Sequence, residues 1–133
     1  KGERMTSIAN LIEQAKYNRT DAYAPYSNFT VGAAVLGNNG IVYHGCNVEV
    51  ACSSAGICAE RIAISNCIMS GAKPKHLVII ADTEEPIPPC GACRQFMVEF
   101  TPLKVTMVNI NGDIKTTTAS KLLPLKFERR TRK

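Results

Sequence analysis

The sequence contains no tryptophan, only 6% aromatic residues and no long hydrophobic run in its 133 residues. Its longest apolar stretch, 77–81, is far shorter than the roughly 20 residues that a helix needs to cross a bilayer. No apolar block with a cleavage-like site stands near the N-terminus. We therefore expect neither a membrane segment nor secretion, and we expect a cytoplasmic protein. Because 45% of the residues are hydrophobic, residues 1–133 are predicted to form a single domain with one core.

Positive charge is concentrated at the C-terminus. The formal net charge is +5, but residues 126–133 contain five basic residues and one acidic residue, so the first 125 residues carry only +1. A nearly neutral body does not favour nucleic acid as a partner. We interpret residues 126–133 as a solvated basic tail.

Apolar periodicity and turn residues predict alternating helices and strands. The predicted helices cover 8–18, 58–70 and 91–100, with at most one further turn over 120–123. The predicted strands cover 30–36, 41–44, 76–82, 104–110 and 113–118. Asn39-Gly40 predicts a tight hairpin between the first two strands, whereas Asn111-Gly112 predicts only a partial hairpin between the last two. This order indicates an α/β fold in which helices cover the faces of a sheet.

The six cysteines are the main functional clue. In the absence of a secretion signal they favour metal binding or catalysis over disulfide bonds. Cys58 precedes the second predicted helix, and Cys90 and Cys93 open the third in a Pro-Cys-x-x-Cys unit. Because helix N-termini stabilise thiolates, these sulfurs could hold a zinc ion with its fourth position open for water, as in catalytic zinc sites. The other cysteines are predicted to be small buried residues: Cys46, Cys52 and Cys67.

Glu60 and Arg61 follow the first of these cysteines closely. Glu60 lies two residues after Cys58, within reach of water at the metal without being a ligand, as a proton shuttle must be. Arg61 lies on the same side of the helix as Cys58 and could offset the negative charge of three thiolates on zinc. A Cys-x-x-Cys pair alone also fits a redox pair or half of a four-cysteine structural site. A zinc ligand two residues before a glutamate, followed by Pro-Cys-x-x-Cys, is more specific, because it is the signature of zinc-dependent nucleobase deaminases.

Five blocks of the sequence resemble the small cytidine deaminases of pyrimidine salvage, in the same order and over nearly the whole length. The blocks are 22–34, 45–49, 56–61, 89–95 and 122–124. This resemblance implies a three-layer α/β/α sandwich with a mixed five-stranded sheet, a zinc ion in each subunit and a homotetramer. It also implies hydrolytic deamination of cytidine and 2′-deoxycytidine to uridine and 2′-deoxyuridine, with release of ammonia.

The resemblance assigns roles to individual residues. The implied zinc ligands are Cys58, Cys90 and Cys93, and the implied proton shuttle is Glu60. The implied substrate contacts are Phe29 against the base, Asn47 and Glu49 on the ribose, and the backbone of Ala59. The chemistry of these side chains agrees, because Asn47 and Glu49 should point to one face of an extended segment and offer donors and acceptors to a sugar hydroxyl.

Three further positions bear on assembly. Phe127 matches a position that reaches the site of a neighbouring subunit in this family. Val50 and Ser53 stand where the family often has asparagine and an aromatic residue, so we expect differences in the subunit interface.

Two alternatives remain open from the sequence. The first is a non-catalytic zinc module that binds nucleic acid, with Cys46 or Cys52 as a fourth ligand and the basic tail as its arm. That alternative leaves Glu60, Asn47 and Glu49 without a role. The second is a deaminase that acts on another cytosine-containing substrate, such as a nucleotide, a base in RNA or an antibiotic.

Overall fold

The computed structural model describes residues 6–129, and its helices and strands follow the predicted order. Helices α1 to α4 cover Ile8–Arg19, Ala59–Met69, Gly91–Val98 and Ala119–Leu122. Strands β1 to β5 cover Val31–Gly37, Val42–Cys46, Pro74–Ala81, Lys104–Asn109 and Ile114–Thr118, and a 3₁₀ turn covers Ser53–Ala55. The predicted bounds agree with these to within about two residues, the usual uncertainty of element ends. None of the helices in residues 6–129 is long and apolar enough to cross a membrane.

The strands form one mixed sheet in the order β2-β1-β3-β4-β5. β1 is antiparallel to β2 and β3, β3 and β4 are parallel, and β4 and β5 are antiparallel. The prediction of only a partial hairpin between β4 and β5 is wrong, because the two strands pair along their whole length. Two features close the turn. Gly112 has a φ of +95°, and the buried Asn109 side chain accepts hydrogen bonds from the N–H groups of Asn111 and Asp113.

The sheet separates two apolar layers. α1 covers one face, where Leu11 and Ala15 pack with residues of β1, β3 and β4. α2 and α3 cover the other face, where Ile64 and Met97 pack with a second set of strand residues. Gly45 of β2 allows α2 to approach closely, since a Cβ atom there would overlap the carbonyl oxygen of Ala59. This is the predicted three-layer α/β/α arrangement, and it holds the first turn of α2 against the sheet.

One edge of the sheet gathers the loops that carry the chemistry. The start of β1 pairs with the end of β3 through Val31 and Ala81, and it also pairs with the end of β2. The loops 20–30, 47–58 and 82–90 therefore all meet the sheet at this edge. Because the last two lead directly into α2 and α3, the N-termini of both helices lie there as well.

Candidate active site

Three cysteine sulfurs meet where two helices begin. Cys58 is the N-cap residue of α2, Cys90 is the N-cap residue of α3, and Cys93 lies in the first turn of α3. The three Sγ atoms lie within 4.8 Å of one another, and those of Cys58 and Cys90 are 4.0 Å apart. Among residues 6–129, no other group of three or more His, Cys, Asp or Glu side chains brings its ligand atoms this close together.

The donor set of this cluster suits zinc. A tetrahedral zinc ion with Zn–S bonds near 2.3 Å holds its sulfur ligands about 3.8 Å apart, close to the observed separation of Cys58 and Cys90. Thiolates are preferred zinc ligands, and three of them leave one tetrahedral position for a further ligand. Cys46 and Cys52 lie outside the cluster. The four-cysteine site of the first alternative is therefore not formed within the described part of the chain.

The side chains around the cluster favour a thiolate at Cys58 and a thiol at Cys93. The pKa of Cys58 is lowered to about 5, mainly by a hydrogen bond with the Cys93 thiol and also by Arg61, whose Nη2 lies 3.8 Å from Cys58 Sγ. The same hydrogen bond and burial raise the pKa of Cys93. A dication stabilises all three thiolates together, so metal binding should release protons.

Glu60 is a buried carboxyl group beside this cluster. It lies in the first turn of α2 and is only 6% exposed. Burial raises the pKa of Glu60 to about 7, and negative charge on Cys58 adds to the shift, whereas its own backbone N–H and Arg61 oppose it. A carboxyl group with a pKa near neutrality can both accept and donate a proton at pH 7.

A cavity of about 260 Å³ opens onto Glu60 and the cluster. Its walls include Cys58, Ala59 and Cys90, together with Phe29 and Asn47 from the neighbouring loops. Apolar side chains from β1, β3 and the loop before α3 complete the lining: Val31, Ile79, Ile87, Pro88 and Pro89. A mostly apolar space with a few polar groups at one end is typical of a small-molecule site. The structure thus brings most of the predicted site residues around one space.

Asn47 connects the end of β2 to the loop before β1. Its Oδ1 accepts the N–H of Val31 at 2.9 Å, and its Nδ2 donates to the carbonyl of Phe29 at 2.9 Å. A side-chain amide has two N–H donors and two acceptor lone pairs. One donor and one acceptor site therefore remain for a ligand, while Asn47 also positions Phe29 at the cavity.

Glu49 lines a different cavity, of about 390 Å³, together with Tyr26, Ser27, Val50 and Ser53. Its Oε1 accepts the N–H groups of Tyr26 and Ser27 at 3.0 and 3.1 Å, and its Oε2 accepts the Ser27 hydroxyl. These hydrogen bonds, above all that from the hydroxyl, lower the pKa of Glu49. Because the carboxylate of Glu49 is hydrogen-bonded to Tyr26 and Ser27, Glu49 does not line the cavity that Asn47 lines.

Phe127 lies outside both cavities. Its side chain is exposed, and its backbone is held by Gln95 of α3, whose amide donates to the Phe127 carbonyl at 3.1 Å and accepts its N–H at 3.2 Å. Lys126 pairs with Glu128 at 3.0 Å. The start of the predicted basic tail is therefore attached to α3, while residues 130–133 of that tail lie outside the described residues.

Of the three cysteines outside the cluster, one is not buried as predicted. Cys67 is fully buried and Cys46 is half-buried, but Cys52 is exposed, so the prediction of burial is wrong for Cys52. Polar contacts hold it at the surface, since it precedes the 3₁₀ turn and its sulfur lies 3.4 Å from the Ser54 hydroxyl. Hydrogen bonding to Ser54 is also the main reason that the pKa of Cys52 is lowered.

Two residues that the sequence analysis did not single out shape the site. Ser27 holds Glu49 and is considered further below. Arg94 donates from Nε to the carbonyl of Pro89 at 2.8 Å and from Nη1 to the carbonyl of Leu122 at 3.2 Å. It thereby fixes the loop immediately before Cys90. In the sequence, the only sign of this role was that Arg94 directly follows the Pro-Cys-x-x-Cys unit.

Comparison with known proteins agrees with this geometry. A sequence-family model, that of the cytidine and deoxycytidylate deaminase zinc-binding region, matches residues 5–109. The chain belongs to this deaminase family. A curated relative, a cytidine deaminase of Sporosarcina psychrophila, is 46% identical over 125 residues, which cover 92% of each chain. A second one, from Halalkalibacterium halodurans, is 45% identical over 120 residues, which cover 88% of this chain and 91% of the relative.

Solved structures of the deaminase family support the fold as well. The crystal structure of a cytidine deaminase from Burkholderia pseudomallei superposes with a TM-score of 0.88 at 45% identity, covering 92% of this chain and all of that one. The predicted fold class is therefore confirmed. The prediction of zinc as the cofactor is also confirmed, since the matching family model describes a zinc-binding region and the three cysteines form a site that suits this metal.

Proposed function

We propose that the protein is a zinc-dependent hydrolase that converts cytidine and 2′-deoxycytidine to uridine and 2′-deoxyuridine with release of ammonia. The observation that carries this proposal is the buried Glu60 beside a three-sulfur cluster, both opening onto one cavity. The similar proteins described above are named cytidine deaminases, which supports a nucleoside as the small-molecule substrate.

Cys58, Cys90 and Cys93 would hold the zinc ion. When bound, zinc supplies a Lewis acid that brings the pKa of a water molecule toward neutrality. Arg61 would withdraw negative charge from the Cys58 sulfur, since three thiolates exceed the charge of one dication. Nη2 of Arg61 contacts the Cys58 sulfur. The buried Nε of Arg61 has no hydrogen-bond partner among the described residues.

Glu60 would carry the protons of the reaction. It would take a proton from water as the oxygen bonds to C4 of the cytosine ring and would deliver that proton to N3. It would then take the second proton of that oxygen and pass it to the amino group, which leaves as ammonia when the C4–N bond breaks. Burial favours the protonated form of Glu60 and so raises its pKa, which suits a group that must donate a proton as well as accept one.

The remaining walls would bind the nucleoside. Phe29 offers an apolar ring face to the base, and the backbone N–H of Ala59, at the start of α2, offers a donor. The amide of Asn47 and the carboxylate of Glu49 each retain capacity for a sugar hydroxyl. Both natural sugars keep a 3′-hydroxyl, so both cytidine and 2′-deoxycytidine are included in the proposal.

Assembly and context belong to the proposal too. We expect a cytoplasmic homotetramer that serves pyrimidine salvage, in which the exposed Phe127 reaches the site of a neighbouring subunit. Val50 and Ser53, which line the cavity next to Glu49, would shape that interface. Residues 1–133 would form one domain, with 126–133 as its basic tail.

The test is release of uridine and ammonia from cytidine by the purified zinc-loaded protein and by Glu60→Gln. Glutamine keeps the shape of the side chain but cannot carry protons, so kcat should fall by roughly 10²- to 10⁴-fold while zinc content stays the same. Glu13→Gln is a matched control, because Glu13 is an exposed carboxylate on α1. If the zinc-loaded parent releases no uridine, the proposal is wrong, and other cytosine-containing substrates are then tested. If Glu60→Gln is as active as the parent, Glu60 is not the proton carrier.

A further inference from the structure

The Ser27 hydroxyl connects the side chain of Glu49 with the backbone of Phe29, two residues that bind the substrate in the proposed function. It donates to Oε2 of Glu49 and accepts the N–H of Phe29 at 3.0 Å. A hydroxyl has a single proton. Because a backbone N–H can only donate, that proton must point toward Glu49. Ser27 therefore lies between the carboxylate predicted to bind the sugar and the backbone of the residue predicted to contact the base.

The segment that carries Glu49 is held along both of its edges. The N–H of Glu49 donates to the carbonyl of Tyr23 at 2.8 Å, and the N–H of Tyr23 donates to the carbonyl of Asn47 at 2.9 Å. On the other edge, Val48 and Ile57 exchange two backbone hydrogen bonds. Only the side chain of Glu49 can then adjust. The loop fills three of the roughly four acceptor sites of that carboxylate.

The loop itself turns sharply between Ser27 and Phe29. Asn28 has a φ of +59°, in the left-handed region that asparagine tolerates, and its N–H donates to the carbonyl of Ala24 at 2.9 Å. After this turn, Ser27 accepts the N–H of Phe29 and Asn47 donates to the Phe29 carbonyl. Both backbone polar groups of Phe29 are therefore held by side chains.

We propose that Ser27 is a positioning residue whose hydroxyl orients the Glu49 carboxylate and the Phe29 backbone for nucleoside binding and leaves Glu49 one acceptor site, enough for a single sugar hydroxyl. This inference rests on the proposed function. Ser27 lines the same cavity as Glu49, and it does not line the cavity that opens onto Glu60. Its removal should therefore weaken binding and leave the chemical step largely intact.

The test compares Ser27→Ala with the parent in steady-state deamination of cytidine. Loss of one hydrogen bond to a charged group should raise KM about tenfold, while kcat changes by less than about threefold and zinc content stays constant. Ser27→Thr keeps the hydroxyl and should restore KM. Ser54→Ala removes another exposed hydroxyl, one that contacts Cys52 and is bonded to neither Glu49 nor Phe29, and it should change neither parameter.

A double-mutant cycle tests whether Ser27 acts through Glu49. Ser27→Ala should raise KM far less in the Glu49→Gln protein than in the parent, because the carboxylate that Ser27 orients is already absent. An additive effect, an unchanged KM, or a loss of kcat at constant KM would each overturn the inference. A zinc-loaded parent that does not turn over cytidine would overturn the proposed function and this inference together. A parent that is active while Ser27→Ala keeps its KM would overturn the inference alone.

Discussion

The sulfur cluster and the loop that faces it are built in different ways. We call the first the metal corner, which consists of Cys58, Glu60, Cys90 and Cys93. It stands on the first turns of two helices that pack against the sheet, and two of its four side chains are buried.

The second region is the loop wall, which consists of Phe29, Asn47 and Glu49. It is partly exposed, and five hydrogen bonds from the side chains of Asn47 and Glu49 to the loop 26–31 hold it together. The starts of two packed helices thus fix the groups assigned to the chemistry, whereas hydrogen bonds near the surface fix the groups assigned to recognition. We expect changes in the metal corner to act on zinc and kcat, and changes in the loop wall to act on KM.

The largest expected effect is that of Cys93→Ser in the metal corner. A serine hydroxyl is a poor zinc ligand, so this variant should lose zinc and all measurable deamination. Metal content by mass spectrometry and uridine release measure both properties. Cys67→Ser is the matched control, since it places the same hydroxyl in the same apolar layer away from the cluster. Zinc retained by Cys93→Ser, or lost equally by Cys67→Ser, would contradict the separate role of the metal corner.

The next effect is expected from Asn47→Ala in the loop wall. It removes two hydrogen bonds that hold the backbone of Phe29 and Val31, which should cost roughly 1–3 kcal/mol of stability. KM for cytidine should rise about tenfold or more, with zinc content unchanged. Asn66→Ala serves as the control, because Asn66 also donates from its amide to a backbone carbonyl, that of His44. If Asn47→Ala lowers kcat at constant KM, the division between the two regions is wrong.

The smallest of these effects is expected from Arg61→Ala. Loss of the cation beside the Cys58 sulfur should reduce turnover or zinc retention several-fold, because the negative charge of the thiolates is then less well balanced. Arg61→Lys keeps the charge and should retain more of both properties. Unchanged turnover together with an unchanged rate of zinc loss to a chelator would show that Arg61 does not support the metal corner.

The metal corner could be predicted from the sequence because its information is local. Cys58 and Glu60 are two residues apart, Cys90 and Cys93 are three apart, and each pair marks a helix start. These spacings together match the signature of zinc-dependent deaminases, so they predicted three sulfur ligands with a glutamate beside them. The full hairpin between β4 and β5 was missed, because the buried Asn109 side chain that caps its turn gives no periodic signal.

The loop wall could be predicted only in outline. The resemblance indicated Phe29, Asn47 and Glu49, but Ser27 contacts Glu49 across 22 residues of sequence, and no spacing rule links them. The same contact explains why Glu49 lines its own cavity. Exposure of Cys52 was missed for a similar reason, since general burial statistics for cysteine do not include the contact with Ser54.

The most direct measurement is X-ray absorption at the zinc edge of the zinc-loaded protein. Three cysteines should hold the zinc ion and leave a fourth position for chemistry. We therefore predict three sulfur neighbours near 2.3 Å and one lighter neighbour at roughly 2.0–2.2 Å. Cys93→Ser should lack this signal at the same zinc concentration. Four sulfur neighbours would instead indicate a closed structural site and would contradict the account.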